Sequence, residues 1–216
     1  MVGARRIMVV GNGDVGREAA DVIDAGDVVI RFNGCRNFGA AGTRTDVVAV
    51  CNTGRPGAEM LADPRWRKSE AVSSAKEIWS IRDPQKFAAM RAELAVTHPE
   101  LDDFCDDYTT GFAQFAAAHD KRHRIIPATV HDALDTALTS YSPAPYVVPS
   151  SGMVLIQALV SDPEYDDALL VLAGFGHSGW EWHPFDAERQ LADSLVRGGR
   201  LMRLETLLPS SLSQGA

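Results

Sequence analysis

No apolar run in the 216 residues approaches the length needed to cross a bilayer, so no stable membrane insertion is expected. The opening MVGARRIMVVGNG carries two arginines before a short apolar run, but the run ends in a glycine loop rather than a cleavage site, and reads as a first β-strand. Cysteine is scarce. Cys35, Cys51 and Cys105 form an odd set whose spacing suits neither a zinc site nor a redox pair. They read as reduced, partly buried thiols of a reducing compartment, and the cytoplasm is the expected location. No histidines stand at metal-ligand spacing, and the acidic group Asp102, Asp103, Asp106 and Asp107 lacks the EF-hand pattern, so no metal is expected. Positive charge is in deficit. Lys and Arg number 21 against 29 Asp and Glu, a net charge of −8, which argues against a nucleic-acid surface but leaves room for a local phosphate pocket. There is no internal repeat and no long low-complexity tract.

What the chain does have is 45% hydrophobic content, enough for one well-buried core. A single nucleotide-binding domain is expected over 1–208, followed by a small, polar, flexible tail over 209–216. Compact apolar runs at Arg6–Val10, Asp27–Phe32, Asp46–Cys51, Glu77–Ile81 and Ala168–Ala173 read as buried strands, the last of them the final core strand. Helical patterns fall between them: Val15–Ala25, from Asp83-Pro84 to about Leu94, Gly111–His119, Thr129–Leu138, from after Pro149-Ser150-Ser151-Gly152 through Val160, and Phe185–Val196. A short strand is expected at Arg124–Ile126. Alternating strands and helices predict an α/β fold: a doubly wound, mostly parallel, Rossmann-like sheet with helices on both faces and right-handed crossovers.

Gly11-Asn12-Gly13-Asp14-Val15-Gly16 is a G-x-G-x-x-G between a strand and a predicted helix. Glycines let a backbone approach a phosphate, and a helix start offers amide donors. A dinucleotide site would also want an acidic residue at the end of the second strand. That strand ends in Arg31-Phe32-Asn33, although Arg36 keeps an NADP-dependent oxidoreductase open as an alternative.

The wider stretch from Val9 to Asp46 resembles the long sialylmotif of the sialyltransferases, glycosyltransferase family 29. It supplies the V-G-N-G turn, Ile23-Asp24, Asp27, Val29, Arg31, Asn33 and Gly42-Thr43-Arg44-Thr45. Pro149-Ser150-Ser151-Gly152, with Gly174-Phe175 after a later strand, resembles the short sialylmotif. His183 and Glu188 fit the family's H-x4-E motif. Three ordered motifs are far more specific than one glycine loop. The resemblance covers about 180 residues, with the middle third unmatched. The family's disulfide has no counterpart, since position 8 is Met and no cysteine follows Ser150. The segment from Phe175 to His183 is short, and His177 is the one histidine within it. The stretches GTRTDVVAVCNTGRP and HPELDDFCDDY are also similar to those of short alpha-proteobacterial proteins with a urease-operon accessory label, which implies gene neighbourhood rather than chemistry.

The resemblance implies a sialyltransferase-like fold and an inverting, metal-independent glycosyltransferase. Its donor would be a CMP-activated keto-sugar acid, sialic acid or Kdo, and its acceptor a glycan or lipid-linked hydroxyl, with no cofactor beyond the donor. Nucleotide contacts fall to Gly11, Asn12, Gly13, Asn33, Ser150, Ser151, Gly152 and His177, with Arg31, Thr45 and Glu188 in support. His183 is the implied base. An imidazole titrates near pH 6.5, so a useful fraction accepts protons at neutral pH. Glu188, five residues on, is better placed to cap or orient than to react. Trp180 and Trp182 suit either stacking on a sugar or base or aromatic core packing. A non-catalytic accessory protein on the same fold is the other alternative. The sequence does not specify an oligomeric state.

Overall fold

The first strand, β1 (Arg5–Val10), has four fully buried residues in succession, as a strand covered on both faces requires. The computed structural model describes residues 4–208, so the tail expected at 209–216 lies outside the described residues. Six further strands follow: β2 (Val28–Phe32), β3 (Val47–Val50), β4 (Glu77–Ser80), β5 (Arg122–Ile125), β6 (Ala168–Ala173) and β7 (Leu201–Arg203). They form one sheet in the order β5-β4-β3-β2-β1-β6-β7, and every neighbouring pair is parallel. A parallel neighbour needs a crossover that returns the chain to the starting edge; between β2 and β3 residues 33–46 do this without a helix, and helices lie in the other connections. They are α1 (Ala20–Asp24), α2 (Gly54–Ala62), α3 (Pro64–Lys68), α4 (Glu70–Ser74), α5 (Pro84–Thr97), α6 (Thr109–Ala118), α7 (Ala128–Thr139), α8 (Ser151–Ser161) and α9 (Phe185–Arg197).

The period-2 geometry of the strands divides the core. Ile7, Val9, Ile30 and Trp79 face one layer, against Leu134 of α7, Ile156 of α8 and Ala192 of α9. Met8, Val10 and Val171 face the other layer, against Ile23 of α1. Farther along the same sheet, Val48 and Ile78 meet Met60, Trp66 and Phe112. The doubly wound expectation therefore holds. The chain runs outward from β1 to β5, then returns to place β6 on the other side of β1. The switch point is the gap between these two strands, where folds of this kind bind ligands at the carboxyl ends of the strands.

Three local expectations need correction. Val15–Ala25 is not one helix. Gly16 is extended (φ −64, ψ 150), a 3-10 turn covers Arg17–Ala19, and α1 has five residues. The cause lies in the preceding loop. Gly13 N–H donates to Gly174 O at 3.0 Å, and Asn37 Nδ2 donates to both Gly11 O and Gly13 O at 2.8 Å, so this backbone cannot coil. Ala168–Ala173 is not the last strand, because β7 adds beside it with only three residues, too few to show a period. Residues 54–74, unassigned from the sequence, hold three short helices. Asp63 caps Arg65 N–H and Ser69 caps Val72 N–H, so each helix starts where its predecessor stops.

Candidate functional site

The carboxyl ends of β1 to β4 and of β6 open onto two adjoining clefts. The larger, about 980 Å³, is lined by Asn12, Asn33, Arg36, Glu59 and Trp66 among others. The second, about 630 Å³, is lined by Asn33, Arg82, Ser151, Trp180, Trp182 and His183 among others. Asn33 and Pro56 belong to both.

Asn33 directly follows β2 in the left-handed region (φ 50), a conformation that Asn tolerates better than most residues. Its carbonyl oxygen accepts Trp66 Nε1–H at 2.8 Å, and its side-chain oxygen accepts Cys51 N–H at 2.8 Å. A backbone N–H can only donate, so the amide is oriented with its NH2 group left for a ligand. Asn12 is held similarly, its side-chain oxygen accepting Arg36 N–H at 3.3 Å.

Residues 148–150, just before α8, are gripped by three side chains in turn. His183 Nδ1 lies 2.8 Å from Val148 O. Arg82 Nη1 donates to Pro149 O at 3.1 Å. Glu188 accepts Ser150 N–H at 2.6 Å and Ser150 Oγ–H at 2.7 Å. The bond to Val148 O settles the histidine tautomer: a carbonyl only accepts, so Nδ1 carries the proton and Nε2 bears the lone pair. Burial pushes the His183 pKa down to about 4. The Val148 bond opposes that shift and the Arg82 charge adds to it. Glu188 has no solvent exposure. Burial raises its pKa, against the pull of the two Ser150 bonds and of Arg82.

The structure thus brings Asn12 and Asn33 to one cleft, and Asn33, Ser151 and His183 to its neighbour. The other proposed contacts, Gly11, Gly13, Ser150, Gly152 and His177, and the supporting Arg31, Thr45 and Glu188, line neither. Gly11 and Gly13 do not offer free amides, since they donate to Ala173 O at 2.8 Å and to Gly174 O. Their lack of a side chain serves the close approach of two loops: a Cβ would stand 2.5 Å (Gly11) or 2.8 Å (Gly13) from Gly174 O. Nor is there a long helix behind them to supply a dipole. Ser150 Oγ is engaged by Glu188 and by Met153 N–H, the N-cap of α8. A Cβ on Gly152 would strike the Phe175 ring at 2.7 Å. His177 sits apart, its pKa lowered first by burial, then by Arg203 and Arg189. Arg31 is a buried clamp on the following loop, donating to Ala41 O, Gly42 O and Arg44 O. Thr45 is buried at its foot.

A charged residue of the second cleft, Arg82, was missed from the sequence. Arg82 is the second residue beyond β4, and that position is the signal that would have found it, since ligand contacts in such folds come from the residues just beyond the strands. Asn52 holds Arg82 in place, accepting its N–H at 2.7 Å and donating to its carbonyl at 3.0 Å. The aromatic wall is also more definite than its sequence. Trp180 stacks on Phe104 (5.4 Å between centroids, 23°), and Trp182 meets His98 edge-on at 4.5 Å. Trp180 meets the His183 ring edge-on at 4.9 Å. Among the described residues no group of three His, Cys, Asp or Glu side chains could hold a metal. Asp103 pairs with Arg55 at 2.7 Å and Asp106 with Arg91 at 2.7 Å. No helix of the described residues is long and apolar enough to cross a membrane.

The fold is similar to that of sialyltransferases. A mammalian sialyltransferase superposes with a TM-score of 0.53 at 17% identity, over 92% of this chain and 68% of that one. A variant of the sialyltransferase CST-II, solved in complex with CMP, gives 0.51 at 10% identity over 96% of this chain and 83% of that one. The fold is therefore of the sialyltransferase class. No family model matches the chain. A relative is nevertheless 56% identical over 216 residues, all of both proteins: the urease operon 23 kDa accessory protein of Rhizobium meliloti (strain 1021). The chain belongs to the family of that accessory protein.

Proposed function

We propose that the chain binds a CMP-activated sugar acid across the two clefts and transfers the sugar to a hydroxyl, with His183 as base. The observation that carries this reading is the His183 tautomer: an unprotonated Nε2, fixed by Val148 O, in the same cleft as the Asn33 amide and the start of α8. In the step, the acceptor oxygen forms a bond to the sugar carbon and gives its proton to Nε2. The carbon–oxygen bond to CMP breaks, and CMP leaves with the electron pair. Inversion follows from attack opposite the leaving group. Neutral donors on Asn12, Asn33 and Ser151 serve the nucleotide without a metal. The aromatic wall of Trp180, Trp182 and Phe104 suits an apolar sugar face or the acceptor. That CMP accompanies one structural neighbour supports the choice of nucleotide. The engaged amide of Gly13 weighs against a dinucleotide on the glycine loop. Three free thiols fit a cytoplasmic protein.

The test separates turnover from binding. With CMP-sialic acid as donor, His183→Ala lowers transfer or hydrolysis by ~10²–10⁴-fold, while CMP affinity stays within a few-fold of the parent. Loss of CMP binding instead makes His183 a ligand contact and removes it as base. If CMP binds but no donor is turned over, the accessory role suggested by the relative's name replaces catalysis.

A further inference from the structure

Arg82 is a buried cation that lacks a matching anion. The residue is 2% exposed. One guanidinium nitrogen donates to Pro149 O, the plane lies over the Phe87 ring at 5.0 Å, and Nε is buried with no partner. Among the described residues no carboxylate lies within ion-pair distance of it. Glu188 is near enough to feel its charge, but both Glu188 oxygens are taken by Ser150. An unpaired buried charge is costly, and each orphaned donor adds to that cost. The two hydrogen bonds between the Asn52 side chain and the Arg82 backbone hold this arrangement in place.

Arg82 does not stand alone. It lines the second cleft together with Ser151, the first residue of an 11-residue helix. Ser150 Oγ caps only Met153 N–H, so the amides of Ser151 and Gly152 have no intrahelical partner. A guanidinium with a free Nε–H beside a helix N-terminus is a donor set for an oxyanion. The rim carries Glu100 and Glu181, but both are exposed and screened by solvent, whereas Arg82 lies inside.

We propose that Arg82 and the first turn of α8 form an oxyanion site at the inner end of the second cleft, filled by the phosphate or the carboxylate of the ligand. The proposal deepens the reading of these clefts as a site for a nucleotide-linked sugar acid, and rests on it. It also gives His183 a second control. Arg82 contributes to the low proton affinity of that imidazole. An anion on Arg82 offsets this charge, so the base strengthens when the ligand is in place.

The experiment follows the Arg82 Nε–H resonance of the full chain by nitrogen-edited NMR as inorganic phosphate, CMP, cytidine and free sialic acid are added. It also compares affinities for the parent and Arg82→Gln. A downfield shift with phosphate and CMP but not cytidine, and a loss of about tenfold or more in CMP affinity in the variant with cytidine unchanged, assign the site to phosphate. A shift with sialic acid alone assigns it to the carboxylate. If no probe moves the resonance while CMP and cytidine bind alike, the oxyanion site is wrong and the nucleotide reading stands. If phosphate or sialic acid moves it while neither CMP nor cytidine binds, the nucleotide reading fails and the oxyanion site stands. The resonance test uses the unmodified protein, so it decides the matter even if Arg82→Gln does not fold.

Discussion

At the scale of single residues, two histidines, His131 buried and His183 half-buried, share one electrostatic cause. His131, 1% exposed, lies 3.0 Å by Nε2 from Ile81 O, and its pKa falls to about 4 through burial first and Arg82 second. His183 falls to about 4 by the same pair of effects. A histidine whose folded pKa lies below its unfolded value of about 6.5 is neutral in the native state while the unfolded chain takes up protons. Each one therefore makes stability rise with pH between about 4 and 6.5, by at most about 1.4 kcal/mol per unit. The raised carboxyl of Glu188 acts in the opposite sense at the acid end of this window. In an NMR titration of the unliganded chain, both imidazoles should stay neutral down to about pH 5, with His183 in the Nδ1–H form. A midpoint near 6.5 for His183 would contradict the burial and tautomer assigned to it. This pairing was not legible in the sequence. His183-Pro184 reads there as a helix-start histidine with an ordinary pKa, because the partner carbonyl of Val148 is 35 residues away.

At the scale of elements, the glycine loop separates what local pattern carries from what long-range bonds decide. The loop and its strand were legible, because β1 is a compact apolar run that ends at Gly11. The helix expected behind it was not correct, because the loop is tied by long-range bonds to Gly174 and Asn37 that no local pattern reports. The helices at 84–97 and 151–161 were legible for local reasons. Asp83 caps the first with Pro84 in its first turn, and Ser150 caps the second. If the glycines serve loop packing, Gly13→Ala should destabilise the chain by about 1–3 kcal/mol, since the new Cβ meets backbone oxygen rather than a movable side chain. Gly34→Ala is the control. It lies in the neighbouring loop with nothing within 4 Å of its Cβ, and should change stability by about 0.5 kcal/mol or less. Urea denaturation of both variants tests this. Equal stabilities would return the Gly13 backbone to the role of a free phosphate cradle.

At the scale of the whole molecule, the sheet order explains why residues far apart in sequence meet. Asn12, Asn33, Arg82, Ser151 and His183 each lie just beyond a strand or at the start of a helix, and the parallel sheet sends all of these ends to one edge. The alternation of strands and helices made that convergence legible, and the sialylmotif resemblance selected Asn33, Ser151 and His183 from it. Arg82 escaped because it belongs to none of the matched motifs and its meaning depends on burial. The central claim is that the convergence of these ends is a CMP site. Calorimetric unfolding of the full chain with CMP, NAD and NADP at equal concentration tests it most directly. CMP should raise the melting temperature most, the gain reaching about 2.7 kcal/mol at a hundredfold excess over the dissociation constant. A clear shift with NADP and none with CMP would contradict the account and return the glycine loop to a dinucleotide.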